Sequence, residues 1–300
     1  MLKADKYSLN TGVSKMPEGV EVKLSVDLIK PLVVGKKIIS MGVGPSSRYR
    51  KNPPEGMVNF QNAISSWHAP TRITDVMSKG KFMYWSFANG HPQFDWHMMC
   101  TFGMSGQWAL KEGKHPCFWF SLVDDTAREH RIYFNDPRHF GSIKFVHSYA
   151  LLKRKLNELG WDPLAHGMDD KWLNYVIGAL SKTSKPIGQI LMDQGVFAGV
   201  GNYIRAEALY LARMSPWRPS NFMKKEDIIT LCQCIVDVMN ESYKHQGATI
   251  LTYKDAFGAE GKFASCFKVY RKETDPLGNK IVKEETPDKR TIHWCPAVQT

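Results

Sequence analysis

The chain has 300 residues, 43% of them hydrophobic and nine of them tryptophan, which excludes a disordered polymer and allows roughly two domains, each with its own core. Forty basic against 29 acidic side chains leave a net charge of +11, a field that favours polyanions as partners. No apolar run approaches the ~20 residues of a membrane span, so the expected partner is nucleic acid and not a membrane.

The first fifteen residues, MLKADKYSLNTGVSK, have no apolar core and no arginine, and read as a flexible polar leader rather than a targeting segment. Apolar positions Val22, Leu24, Val26, Leu28 and Ile29 predict a helix ending near Val33. From Lys36 to about Phe145, short aromatic or β-branched runs (KIISMGV, GKFMYWSF, WHMMCTF, CFWFSLV, HRIYF, GSIKFV) are separated by Gly, Pro, Asn and Asp. That pattern predicts a β-sandwich or barrel. The texture changes at Ser148. SYALLKRKLNELG, DDKWLNYVIGALSK, KPIGQILMDQ, NYIRAEALYLARM and KEDIITLCQCIVDVMNESYK all read as helices, the last with Ile228, Leu231, Cys232, Ile235 and Met239 on one face. FKVYRK, a turn at DPLGN, KIVKE and RTIHW then predict a C-terminal β-hairpin. The expected division is a leader over 1–15, a β domain over 16–147, a helical domain over 148–262 and a hairpin over 263–300. Six scattered cysteines point to a reducing, intracellular compartment rather than a disulfide framework.

Two stretches carry chemistry. In MPEGVE, Pro17 inside a peptide bond has a delocalised nitrogen lone pair and is inert. At a chain terminus it is a secondary amine of pKa ~7.7–8.0, partly neutral at physiological pH. Such an amine can attack a sugar C1′ and become an iminium ion, with Glu18 beside it to move protons. Taken alone, Pro-Glu is more simply a turn or helix opening. In LMDQGVFAGVGNYIRAEALY, Gly199, Val200 and Gly201 form a turn before a helix opened by Asn202. Backbone N–H groups and the positive helix end make such a turn a phosphate site, although a bare GxGN equally suits a packing joint between helices.

The motifs MPEGVE, SKGKFMYW, TFGMSGQW, NDPRHFG and LMDQGVFAGVGNYIRAEALY occur in the order and spacing of the formamidopyrimidine-DNA glycosylase/endonuclease VIII family, which this chain resembles from Met16 to about Pro216. The resemblance implies an α+β fold: an N-terminal β-sandwich with a flanking helix, then a helix–two-turns–helix domain. It implies a bifunctional DNA glycosylase and abasic-site lyase of base excision repair, acting as a monomer on damaged DNA, duplex or single-stranded, in the nucleus or in viral or bacterial cytoplasm. On it, Pro17 matches the Schiff-base nucleophile, Glu18 the proton-transfer acid and Glu21 a supporting glutamate. Lys81 matches a turn lysine that reaches the DNA backbone, and Gly201 and Asn202 match the phosphate turn. Met104, Arg138 and Phe140 match residues that fill the void left by an extruded nucleotide. From the residues alone, Met104 and Phe140 would be core and Lys81 a solvated turn lysine. His139 stands where many members have a second arginine, weakening a phosphate contact or making it pH-dependent.

The C-terminal region has only Cys266 and Cys295, and neither belongs to a C-x₂-C pair, so the four-cysteine zinc finger of most members is not expected, nor any other cofactor. The hairpin with its basic tip TPDKRTIHW resembles the zincless finger of animal and giant-virus endonuclease VIII-like enzymes. Arg290 there matches the finger arginine on the phosphate near the lesion, or reads simply as part of a solvated charged turn. Val20 departs from the proline of MPEGPE. The leader departs further, because the chemistry needs Pro17 as a terminus. The alternative is a DNA-binding protein of the same fold whose blocked Pro17 cannot react. Lesion preference is expected to rest on the region 241–262.

Overall fold

A computed structural model describes residues 17–45, 47–66, 69–248 and 262–300. The expected leader and residues 249–261 of the region assigned to lesion preference lie outside the described residues. The chain opens on α1 (Gly19–Val33), which belongs to two cores at once. Val20 and Leu24, four residues apart, enter the core of the helical domain. Val22, Val26, Ile29 and Val33 enter that of the β domain. A helix apolar on opposite faces must be covered on both, so α1 becomes the spine between the domains.

The β domain follows: β1 (Lys37–Val43), α2 (Met57–Ser66), β2 (Arg72–Lys79), β3 (Phe82–Ala88), β4 (Trp96–Thr101), β5 (Gln107–Ala109), β6 (Pro116–Val123), β7 (Glu129–Asn135) and β8 (Ser142–His147). The strands form an antiparallel sequence β5-β7-β6-β1-β2-β3-β4-β8. β1 and β2 share only the Lys37–Arg72 pairing, so the sheet folds there into two four-stranded layers. Side chains from both layers meet between them: Trp85 of β3 lies 4.8 Å from Trp108 of β5 and 5.7 Å from Phe120 of β6, ring centre to ring centre. This is the expected sandwich. Two of its strands, β2 and β5, and the helix α2 were not predicted. RITDVMSK alternates only loosely, with Asp75 and Lys79 paired to groups outside the sheet rather than marking a solvent face.

α3 (Tyr149–Asn157) packs on β4 and β8, and the helical domain beyond it contains α4 (Pro163–His166), α5 (Asp170–Leu180), α6 (Ile187–Ile190), α7 (Asn202–Leu211) and α8 (Lys225–Lys244). The five apolar positions predicted for one face of α8 are all buried. KPIGQILMDQ is helical for only one turn, because Asp193 turns the chain back, its side chain accepting from Gly195 N at 2.8 Å.

The C-terminal hairpin differs from expectation. Its strands are β9 (Val282–Glu285) and β10 (Thr291–Trp294), joined by the TPDKR turn. FKVYRK is not a strand. Glu207, 3% exposed on α7, accepts the backbone N–H groups of Lys268, Val269 and Tyr270 at 2.8, 3.0 and 2.7 Å, and a carboxylate that takes three successive donors leaves none for a ladder. Arg271 follows at φ 62°, which ends any extended run. DPLGN is a turn, closed by Asp275 accepting from Leu277 N and Asn279 N.

Candidate active site

The start of α1 lies in the seam between the two domains. Three glycines make the approach possible: a Cβ on Gly19 would fall 2.7 Å from Gly199 Cα, and one on Gly80 would fall 2.5 Å from Gly199 N. Gly80, at φ 55°, turns β2 into β3, and its N–H donates to Asp162 at 2.7 Å. Gly19 N–H donates to the Gly199 carbonyl at 2.9 Å. The opening of the chain, the β2–β3 turn and the glycine turn before α7 therefore converge on one point.

Pro17 and Glu18 are buried there. Glu18 N–H donates to Glu21 Oε2 at 2.9 Å, one half of a capping box that starts α1. The Glu18 carboxylate instead reaches 185 residues along the chain, accepting from Tyr203 N at 3.0 Å and from Ile204 N at 3.3 Å. It thereby caps the N-terminus of α7, where backbone donors lack partners within the helix. Gly201 is what lets it in, since a Cβ there would fall 2.2 Å from Glu18 Cδ. Glu21 accepts from Ala248 N at 2.9 Å and from the Tyr203 hydroxyl at 3.2 Å. Burial pushes both carboxyls up, Glu18 to about 7 against the attraction of Lys81. Lys81, one residue past the Gly80 turn, is pulled down to about 8 by burial and by Arg290, opposed by Glu18. A carboxyl and an amine are thus poised near neutrality side by side, the condition for proton transfer at physiological pH.

The glycine turn before α7 and the hairpin join the same cluster. Asn202 is the first helical residue of α7, and its Nδ2 donates to the Thr291 carbonyl of β10 at 2.9 Å. Arg290, the residue before, is half-exposed, with its Nε 3.3 Å from Asp288. Pro17, Glu18, Glu21, Lys81, Gly201, Asn202 and Arg290 are therefore brought together around the α7 N-terminus.

Met104, Arg138, His139 and Phe140 form a separate group on the sandwich, at the tips of the β4–β5 and β7–β8 loops. The loops touch, since a Cβ on Gly103 would fall 2.4 Å from the Phe140 carbonyl carbon. Asp136, 1% exposed, ties them by accepting from Ser105 Oγ at 2.6 Å and Gly141 N at 2.6 Å. Phe140 is 56% exposed under the Arg138 guanidinium, so the core reading of Phe140 is overturned. Met104 is half-buried. His139 is half-buried, its Nδ1 3.4 Å from Cys117 Sγ beneath the loop.

Three residues that support the site were not singled out from sequence: Asp136, Asp162 and Arg205. For Arg205 a signal existed. Its neighbours Tyr203, Ile204, Ala206, Ala208 and Leu209 leave α7 no polar face, so a charge on it must be inside and partnered.

Three family profiles tile the chain: the formamidopyrimidine-DNA glycosylase N-terminal domain over 16–143, the H2TH domain over 159–254 and the C-terminal domain over 260–300. A formamidopyrimidine-DNA glycosylase of Prochlorococcus marinus (strain MIT 9301) is 31% identical over 300 residues, spanning 96% of this chain and 98% of that protein. The crystal structure of the MutM (Fpg) protein of Thermus thermophilus superposes with a TM-score of 0.76 at 27% identity, covering 94% of this chain and 98% of the other. A Lactococcus lactis FPG mutant in complex with Fapy-dG containing DNA superposes with a TM-score of 0.78 at 22% identity, over 95% of this chain and all (100%) of that one.

Proposed function

The chain belongs to the formamidopyrimidine-DNA glycosylase family, and from that premise we propose that it is a base-excision-repair DNA glycosylase with abasic-site lyase activity. One observation carries the reading: Glu18, next to Pro17, is buried against the N-terminus of the helix that presents Asn202, with Lys81 beside it. Family membership gives damaged DNA as the substrate class.

In this mechanism the Pro17 amine attacks C1′ of the damaged nucleotide. The C1′–N bond breaks and the base leaves with the bonding pair and a proton. A second proton goes to O4′ as C1′–O4′ breaks, leaving an iminium ion on Pro17. Glu18, poised near neutrality, moves these protons, and Glu21 holds the Glu18 backbone. Loss of a C2′ proton expels the 3′ phosphate, and a second elimination expels the 5′ phosphate. Asn202, Gly201 and Arg290 grip the backbone at the lesion, Lys81 adds charge, and Met104, Arg138 and Phe140 occupy the vacated stack. The hairpin works as a zincless finger. In support, Cys295 is engaged with Asp275 at 3.6 Å, while Cys266 is exposed.

The nucleophile requires Pro17 to be a chain terminus, reached by proteolysis after Met16 or by initiation at Met16 followed by removal of that methionine. Borohydride trapping on an abasic duplex tests this with two proteins, the full chain and the chain starting at Pro17. The Pro17-start protein is expected to cross-link and the full chain to bind without cross-linking. Equal cross-linking by both overturns the Pro17 mechanism, and no cross-linking by either leaves the lesion-binding alternative.

A further inference from the structure

Arg205 is 0% exposed, and each of its hydrogen bonds goes to a neutral acceptor: Nη1 to Gly188 O at 2.9 Å, Nη2 to Asn202 Oδ1 at 2.5 Å and to Thr291 O at 3.2 Å. A buried cation without a directly bonded carboxylate is costly and calls for a specific use. The geometry around Asn202 supplies one. An asparagine amide can flip, showing a neighbour either its oxygen or its nitrogen. Here both flanks decide the matter: a guanidinium can only donate, so it must meet Oδ1, and the Thr291 carbonyl can only accept, so it must meet Nδ2 at 2.9 Å. Nδ2 carries two hydrogens and spends one on Thr291. The other lies by the Tyr270 hydroxyl, the acceptor that a phosphate oxygen would replace. The same guanidinium grips the carbonyl of the residue following Arg290, and so ties the hairpin to α7.

We propose that Arg205 is a positioning residue that locks the Asn202 amide with its N–H toward the DNA and docks Asn202 and Arg290 into a single phosphate clamp. This rests on the reading of the chain as a protein of damaged DNA. Lysine cannot replace it, because an ammonium has no planar fork to reach Asn202 and Thr291 together while holding Gly188.

The test is equilibrium binding of the full chain to a tetrahydrofuran-containing duplex across a salt series. R205M is expected to weaken binding at least tenfold and to lower the salt slope by about 0.9, the loss of the one cationic phosphate contact, that of Arg290, while the neutral Asn202 contact affects affinity and not slope. In the R205M background, N202A and R290A are expected to cost little more, because the contacts they remove are already gone. R205K, which keeps the charge, is expected to bind as poorly as R205M. N202D keeps an acceptor for Arg205 but turns an oxygen to the phosphate, and is expected to bind more weakly than N202A. This last pair holds the test open even if R205M folds poorly. Wild-type affinity and slope in R205M, full rescue by R205K, additive losses in the double variants, or N202D binding as well as N202A would each overturn the proposal. A wild-type chain that prefers the tetrahydrofuran duplex no more than undamaged duplex overturns the functional reading, and this inference with it.

Discussion

Gly201→Ala is the smallest change that isolates the Glu18 carboxylate. Gly201 has φ −131° and ψ −159°, extended backbone that any residue adopts, so the added methyl strains nothing on its own chain. Its Cβ would stand 2.2 Å from Glu18 Cδ and 2.4 Å from Oε1. Carbon atoms in contact sit ~3.5–4.0 Å apart, so the carboxylate must move by more than 1 Å. That distance breaks the bonds from Tyr203 N and Ile204 N, now 3.0 and 3.3 Å. Each is a hydrogen bond to a chargeable group worth ~1.5–3 kcal/mol, and the displaced carboxyl recovers part of this elsewhere. The expected loss of stability is ~2–4 kcal/mol. The expected loss in single-turnover base excision is ~10²-fold or more, the contribution of a positioned acid. Thermal melts and single-turnover excision by the Pro17-start protein measure both. In an E18A background the clash partner is gone, and G201A should then cost under ~1 kcal/mol, what remains being the weaker N-cap. A G201A protein that melts like wild type and excises within threefold of it refutes the argument, as does an undiminished cost in the E18A background.

Glu18 is pushed up to about 7 by burial, so the folded chain holds its proton longer than the unfolded chain does, and stability contributed by the neutral carboxyl is lost as pH rises from about 4.5 to about 7. The difference in stability between E18Q and wild type should therefore rise across that window, by at most ~3 kcal/mol in urea titrations, from an offset set by the Gln amide nitrogen that cannot accept from a backbone N–H, while excision is lost; a difference that falls with rising pH contradicts the assignment. Excision by the Pro17-start protein needs a protonated Glu18 and a neutral Pro17 amine, so its rate should peak between pH about 7 and ~8 and fall above that, and a pH–rate profile still rising at pH ~9 would exclude Glu18 as the acid. Phe140→Ala removes a ring that is 56% exposed, so the melting curve should hardly move while affinity for an abasic duplex drops about tenfold; loss of stability above ~1 kcal/mol would return Phe140 to a packing role. Gly80→Ala places a methyl 2.5 Å from Gly199 N at φ 55°, against backbone that cannot swing aside, and should destabilise by over ~2 kcal/mol in a calorimetric melt; a neutral effect would mean the seam is looser than the geometry requires.

Local signals served where one face of an element meets one environment. The apolar stripe of α8 and the alternation of β3 in FMYWSFA were both readable, because core lies on one side of each. FKVYRK misled because its β-rich composition says nothing about Glu207, a carboxylate 61 residues away that takes its N–H groups. α2 was hidden because its apolar face, Met57, Phe60, Ala63 and Ile64, is short and is blurred by the exposed Val58. The glycine turn before α7 was legible as a turn, but the carboxylate it admits was not. Glu18 and Tyr203 are joined by a bond across 185 residues, and no spacing rule reaches that far. Charged residues inside a motif, such as Asp136 and Arg205, read as solvated until the burial of everything around them is known.

The seam also moves two ionisable groups away from where they titrate in water. A glutamate at its ordinary 4.5 and a lysine at 10.5 differ by six units, so moving a proton from the ammonium to the carboxylate costs ~8 kcal/mol. Here Glu18 is moved up and Lys81 down, so the same transfer costs less. Burial accounts for both movements, upward for the acid and downward for the base, and neither residue is buried by its own domain alone. Glu18 is enclosed by α7, and the turn that carries Lys81 is fixed by Asp162 and Gly199 of the helical domain. Docking of the two domains is therefore what matches the two groups, and any change that opens the seam should return both to their solution values before it unfolds either core.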